Sequence, residues 1–178
     1  MPMSEQTFLF YAKAAASGSS DPLPEGYRWT LWRPSFGGIT PPGVSLMPFG
    51  VWWVLHALHV FRNRDYGLFL IHHVDTLVHR SVITPGYFRF PFMHRDDLQV
   101  GDTWTSDDQR GRGLATFALR QITGSDNRTG RRYWYVVEEN NLASIRVVEK
   151  AGFRRVGRGA RYPRLGIRAF GMFKIEQE

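Results

Sequence analysis

The chain has 178 residues, 43% of them hydrophobic and 22% charged. These are ordinary proportions for one globular domain, and they exclude a disordered chain, a coiled coil or a collagen-like repeat. It contains no cysteine, which removes disulfide scaffolds, thiol nucleophiles, iron–sulfur clusters and cysteine-ligated zinc. The formal net charge is +7, and the basic excess lies almost wholly after Asp97. Nearly all of it is arginine, whose planar fork suits phosphate, although a coding preference for arginine gives the same composition.

Residues 1–24 carry an apolar patch at Phe8–Tyr11 and then a Ser-, Gly- and Pro-rich run, and they read as a flexible lead-in. They lack a basic region followed by a sustained apolar core, so no secretory signal is expected. Tyr27–Trp32 alternates aromatic and polar residues as a strand does, and Arg33–Gly43 is a Pro- and Gly-rich loop. Pro48–Arg62 places Trp52, Leu55, Leu58 and Phe61 at helical spacing. The apolar stretch Met47–Phe61 is interrupted by His56 and His59 and falls short of the ~20 residues of a spanning helix, so a cytoplasmic protein with no membrane partner is expected. Tyr66–His72 and Thr76–Ile83 form a predicted hairpin, and Pro85–Pro91 an irregular aromatic segment. Asp97–Thr105 reads as a strand with a bulge near Gly101. A helix from Leu114 to about Ile122, a strand at Arg132–Glu138 and a helix at Leu142–Ala151 follow, with Asn141 placed as cap and Gly152 just past the end. Phe153–Arg161 and Leu165–Ile175 are two closing strands. No repeat or domain boundary interrupts this order, so residues 1–178 are expected to form a single mixed α/β domain of the α+β class.

Between one strand and the next helix lies Arg110-Gly111-Arg112-Gly113-Leu114-Ala115. Glycines let the backbone approach a ligand, and the first N–H groups of the helix have no intrahelical partner and face the positive end of its dipole. The arrangement suits a pyrophosphate. It has neither the Lys-Ser/Thr of a P-loop nor the spacing of a dinucleotide fingerprint, and a plain glycine turn before a helix explains it equally. Downstream come Asn140-Asn141-Leu142-Ala143-Ser144 and Glu149-Lys150-Ala151-Gly152-Phe153.

This pair of segments resembles the signatures of the GNAT superfamily of N-acetyltransferases. One signature reads Gln/Arg-x-x-Gly-x-Gly/Ala, matched by Arg110, Gly113 and Ala115. The other reads roughly Asn-x-x-Ala/Ser and then Glu-Lys-x-Gly-Phe, matched by Asn141, Ser144, Glu149, Lys150, Gly152 and Phe153. The resemblance covers about residues 97–175. It implies a GNAT fold, in which a central, mostly antiparallel twisted sheet contains a splayed parallel strand pair and is flanked by helices. It also implies acetyl-CoA as co-substrate, lying in the gap of that pair. Backbone N–H groups of Arg110, Gly111, Arg112, Gly113, Leu114 and Ala115 would hold the pyrophosphate. The backbone of Thr103, Trp104 and Thr105 would pair with the pantetheine arm, and a donor there would stabilise the oxyanion. Asn141 and Ser144 would lie near the arm, a role compatible with Asn141 being a helix cap.

The chain departs from the family at Val148, where many members carry the tyrosine that protonates the leaving thiolate. Tyr133, Tyr135, Tyr162 or water are the alternatives, and aromatic core is the commoner role for each tyrosine. A base must also take the proton of the attacking ammonium. Asp102 is the candidate, since the family often places a carboxylate on that strand, and alternation puts it on the opposite face from Gly101 and Thr103. Glu138 and Glu139 are second choices, and a solvated aspartate is the plainer account of Asp102. The histidine pairs His56/His59 and His72/His73, with isolated His94, do not supply three convergent ligands, so no metal is expected. The arginines at 154, 155, 158, 161, 164 and 168 read as solvated strand faces or as a basic rim for an anionic ligand. Trp52, Trp53, Phe88, Phe90 and Phe92 read as core or as an acceptor wall.

The expected activity is direct transfer of an acetyl group from acetyl-CoA to a primary amine of a small molecule or peptide, an anionic acceptor and a homodimer being compatible with the sequence. Two alternatives remain: a basic nucleic-acid-binding module, which leaves the paired motifs unexplained, and an inactive acyl-CoA-binding member of the same fold.

Overall fold

In the computed structural model the described residues are 6–16, 18, 22–35, 41, 44, 50–126, 128–164 and 167–176. They form an eight-stranded sheet and three α-helices. In chain order these are β1 (Thr7–Ala14), β2 (Tyr27–Trp32), α1 (Gly50–Ala57), β3 (Gly67–His73), β4 (Thr76–Pro85), β5 (Leu98–Thr105), α2 (Leu114–Gly124), β6 (Arg132–Glu138), α3 (Leu142–Lys150), β7 (Arg154–Arg164) and β8 (Ile167–Glu176). The sheet runs β2-β3-β4-β5-β6-β1-β7-β8. Every pairing is antiparallel except β5 with β6. This is the α+β class expected.

The reading of residues 1–24 as a lead-in is corrected by β1, which lies between β6 and β7 near the middle of the sheet. Phe8, Phe10, Leu9 and Tyr11 are all buried. Phe8 and Phe10 enter the core on one face of the sheet, Leu9 and Tyr11 the core on the other. A strand covered on both faces is an unbroken apolar run rather than an alternating one, and the Phe8–Tyr11 patch is that run. The helix predicted over Pro48–Arg62 is shorter, Gly50–Ala57. It ends because His59 turns left-handed (φ 57°) and the Val60 N–H bonds back to the Leu55 carbonyl, closing a Schellman-type cap. Pro48 and Phe49, with the loop residues 36–40, lie outside the described residues.

Period-2 alternation fills the two faces differently. Phe69, Ile71, Leu98, Val100, Tyr133 and Tyr135 pack under α2 and α3, with Phe117, Leu119 and Val148 from those helices. Leu68, Leu70, Val82 and Trp134 face the other way, into aromatics from the irregular segment after β4. Phe90 stacks on Phe173 at 5.5 Å, and Phe92 meets Trp134 edge-on at 4.9 Å, so these aromatics are core. Among the described residues, no helix is long and apolar enough to cross a membrane.

Candidate active site

β5 and β6 pair only at Leu98↔Tyr133 and Gln99↔Trp134. Beyond those residues the strands diverge, leaving the β6-facing edge of β5 without a strand partner. The closed end of the wedge is held by Asp97, which is 1% exposed. Its carboxylate accepts the Trp134 Nε1–H at 2.8 Å, the Arg132 N–H at 3.2 Å and the His94 N–H at 2.9 Å, tying the start of β5 to the start of β6. The open end is a cleft of about 370 Å³.

The expected bulge is present in β5. Val82 pairs with Gly101 and Arg80 with Trp104, so Asp102 and Thr103 together oppose Ser81. Asp102 takes the strained left-handed conformation, φ 44°. The bulge also changes which residues share a face. Leu98 and Val100 pack beneath α2, and past the bulge it is Thr103 and Thr105 that reach the polar groups on that side. Asp102 lies on the other side, its Oδ1 3.9 Å from Arg80 Nη2, while the Arg80 guanidinium covers the Trp104 ring at 5.5 Å. The carboxylate is half-exposed, and its field reaches Tyr66 in the opposite core, where burial raises the phenol.

The cleft is lined by nine of the residues named for CoA: Thr103, Trp104, Thr105, Arg110, Gly111, Gly113, Leu114, Ala115 and Ser144. Gly113 is the N-cap of α2 in left-handed conformation (φ 80°, ψ 3°) and supplies no side-chain cap. The first intrahelical bond runs from Phe117 N–H to the Gly113 carbonyl, so the N–H groups of Leu114, Ala115 and Thr116 precede the helical ladder. A Cβ built at Gly111 or Gly113 meets no heavy atom within 4 Å. Open space, left-handed backbone and uncapped donors suit an anion as large as a pyrophosphate, so the residues present fit CoA. Arg110, Arg146 and Lys150 add cations to the rim, Arg110 also pairing with Asp107 at 2.7 Å. The loop is anchored from behind by Gln109, whose Oε1 accepts the Tyr27 hydroxyl.

Two named residues stand apart from the cleft lining. Arg112 is exposed on the loop. The Asn141 side chain is used locally, its Oδ1 accepting the Ser144 N–H at 3.1 Å to cap α3. Val148 is fully buried beneath α3, in the core and not in the cleft.

The three tyrosines separate by geometry. Tyr133 donates to Asp126 Oδ2 at 2.8 Å on the far side of the wedge base, and Tyr162 lies under the Lys174 ammonium on the β7–β8 ribbon. Tyr135 lines the cleft together with Thr103 and Ser144. Burial, the largest influence, raises this phenol, and the two hydroxyls oppose it by stabilising the phenolate. A chain of hydrogen bonds runs inward from Thr103. Thr103 Oγ1 lies 3.2 Å from Ser81 Oγ, Ser81 Oγ lies 3.1 Å from His79 Nε2, and His79 Nδ1 lies 2.8 Å from Thr105 Oγ1. His79 has 0% exposure. Burial, assisted by the Arg80 charge, pushes its imidazole down to about 3, so it is neutral. Sequence reasoning missed His79. Its only signal is the polar run His79-Arg80-Ser81 in the middle of β4, with His79 and Ser81 opposite Thr105 and Thr103.

Of the second-choice bases, Glu139 pairs with Arg158 at 3.3 Å and Glu138 is half-buried at the end of β6. In the basic run Arg161 lies over the Phe173 ring at 5.9 Å, and the side chains of Arg164 and Arg168 lie outside the described residues. Among the described residues, no three His, Asp or Glu groups converge as a metal site.

Comparison with known proteins agrees with this geometry. Residues 51–154 match the family described as the acetyltransferase (GNAT) domain, more than half of the chain. A GNAT-family acetyltransferase from Colwellia psychrerythraea superposes with a TM-score of 0.53 at 15% identity, over 85% of this chain and 53% of that one. A putative GNAT-family acetyltransferase from Novosphingobium aromaticivorans gives 0.51 at 17% identity, over 86% and 61%. A GCN5-related N-acetyltransferase-like protein from Streptococcus suis gives 0.53 at 15% identity, over 87% and 61%. The chain thus spans between about half and three-fifths of the length of these structures. A search of curated proteins returned no match. With both the family match and the wedge between β5 and β6 in place, the chain belongs to the GNAT acetyltransferase family.

Proposed function

We propose that residues 1–178 form a single acyl-CoA N-acyltransferase domain that moves an acetyl group from acetyl-CoA directly to a primary amine in the cytoplasm. The observation that carries this reading is the wedge itself: a parallel pair joined at two positions, opening onto a glycine-capped helix start. CoA supplies the activated thioester, and the chain does the rest. The N–H groups at the start of α2 hold the pyrophosphate, with Arg110, Arg146 and Lys150 nearby. The open edge of β5 at Thr103–Thr105 orders the pantetheine arm as an added strand would and offers a donor to the developing oxyanion. The amine approaches from the opposite face, where Asp102 receives its proton. Attack needs no covalent enzyme intermediate, which suits a chain without cysteine. The acceptor is a small-molecule or peptide amine, and Arg80 beside Asp102 favours one with an anionic group.

The test is a thiol-release assay with acetyl-CoA across a panel of small amines, amino sugars and peptide N-termini, with the N-acetyl product identified by mass. Stoichiometric release with at least one amine is expected. Tight CoA binding with no transfer to any amine would instead make the protein a binding-only member, a reading that the buried Val148 in place of a tyrosine favours.

A further inference from the structure

The position of the usual family tyrosine is filled by an alkyl side chain sealed in the core, yet a different phenol lines the cleft. Tyr135 is the first residue of β6 past the last paired position, Trp134. An arm entering at the start of α2 and running down the wedge would end near this point, where Thr103 and Tyr135 both line the cleft. Resting on the acyl-transfer reading, we propose that the Tyr135 hydroxyl protonates the departing CoA thiolate, and that Thr103, Ser81, His79 and Thr105 form a relay that returns a proton to it from the cleft mouth.

The step balances, with Tyr135 passing briefly through its phenolate. As the amine nitrogen bonds to the acyl carbon and the C–S bond breaks, sulfur takes the electron pair and the Tyr135 proton. In one concerted shift the Tyr135 oxygen then receives a proton from Thr103 as Thr103 takes one from Ser81 and Ser81 one from His79 Nε2. In the same shift His79 Nδ1 is refilled by Thr105, which faces the cleft and takes a proton from water, and the hydroxide left there is neutralised by the proton that Asp102 sheds to solvent. His79 begins and ends neutral, as the Nε2–H tautomer before the shift and the Nδ1–H tautomer after it, and reverts to the first before the next turnover. A fully buried imidazole held neutral is suited to that exchange, because it never has to carry charge. The hydroxyls of Thr103 and Ser144 stabilise the phenolate left when Tyr135 gives up its proton. Tyr135 would touch the reacting sulfur. His79 acts only through other groups and is a positioning residue.

The first readout needs no acceptor. The thiol of CoA bound to the full chain is titrated through the ultraviolet absorbance of its thiolate. A phenol donating to that thiolate should lower the bound thiol's pKa by about one to two units below that of free CoA, and Tyr135→Phe should remove most of the difference. The cations Arg110, Arg146 and Lys150 act on both proteins alike, so the difference isolates the hydroxyl. In turnover, Tyr135→Phe should lower kcat about 10²-fold or more while CoA affinity stays within about threefold. His79→Gln should leave CoA affinity unchanged and straighten a curved dependence of kcat on deuterium fraction, which a purely structural histidine would not do. Equal bound-thiol pKa values in wild type and a folded Tyr135→Phe would overturn the proposal, as would full turnover by that variant. Should Tyr135→Phe not fold, a linear deuterium dependence in the wild type overturns it instead, and a curved one that His79→Gln straightens supports it. Calorimetry on the wild type separates the two readings: absence of CoA binding overturns the acyl-transfer reading and this one with it, whereas binding with an unshifted thiol overturns only the relay.

Discussion

Gly113→Asp challenges the anion cradle at little expense to the fold. Gly113 has φ +80° and open space where a Cβ would stand, so the strain is that of left-handed backbone alone, about 1–2 kcal/mol. Aspartate is a favoured N-cap, and its charge complements a helix start, returning about 1 kcal/mol. The melting temperature should therefore move by only a few degrees. The ligand meets a different balance. A carboxylate about 4 Å from a pyrophosphate charge is repelled by about 4 kcal/mol at an effective dielectric constant of 20. It also competes for the N–H groups of Leu114, Ala115 and Thr116. CoA affinity should fall about 10³-fold. Calorimetry with CoA, beside far-UV circular dichroism, reads both effects. Gly113→Ala carries the backbone strain without the charge and should bind within about tenfold of wild type. A folded Gly113→Asp that binds CoA as tightly as wild type would refute the placement of the pyrophosphate.

Three further outcomes follow from the same geometry. Asp102→Asn keeps the shape of the bulge and removes the proton acceptor, so kcat/KM should drop about 10²-fold with CoA affinity unchanged; full activity and an unaltered pH profile would pass the role to Glu138, Glu139 or solvent. Val148→Tyr forces a ring into a site with 0% exposure and should lower stability by about 1–3 kcal/mol or more in urea titrations, with no gain in kcat; a faster enzyme of wild-type stability would show that the phenol reaches the cleft. Burial, with the Arg80 charge beside it, pushes His79 down to about 3 in the folded chain from about 6.5 in the unfolded one, so between those values the unfolded chain alone should bind the proton, and stability should be lost as pH falls below about 6.5. That loss should reach about 2 kcal/mol at pH 5 relative to neutral pH and be absent from His79→Gln; identical pH dependence of the two proteins in urea unfolding would refute it.

Local chemistry made much of this site legible. The glycines before Leu114 and the Asn141–Ser144 cap are short-range features, and the structure forms both at those residues. β6 spans the residues expected from its β-rich run, and the bulge of β5 falls at Asp102–Thr103, directly after the glycine that breaks the alternation. Long-range features were hidden. Phe8–Tyr11 gives no hint of its partners, because a strand buried on both faces loses its period, and its neighbours β6 and β7 lie more than a hundred residues away. The bulge reverses the face parity of every residue after it, so Thr103 and Thr105 could not be assigned to the cleft by counting. His79 was hidden because the polar run His79–Ser81 within β4 acquires meaning only from the strand beside it. Asn141 matched a family motif, but its carbonyl oxygen is committed to the helix it starts.

The most direct test of the central claim is an amide-resolved NMR titration of the isotopically labelled chain with CoA. The account predicts the largest shifts at Thr103–Thr105, Gly111–Thr116, Tyr135 and Ser144–Lys150, with small changes at Arg154, Arg155 and Arg158. Shifts centred on the arginines of β7, or none at all, would contradict a CoA-binding wedge between β5 and β6.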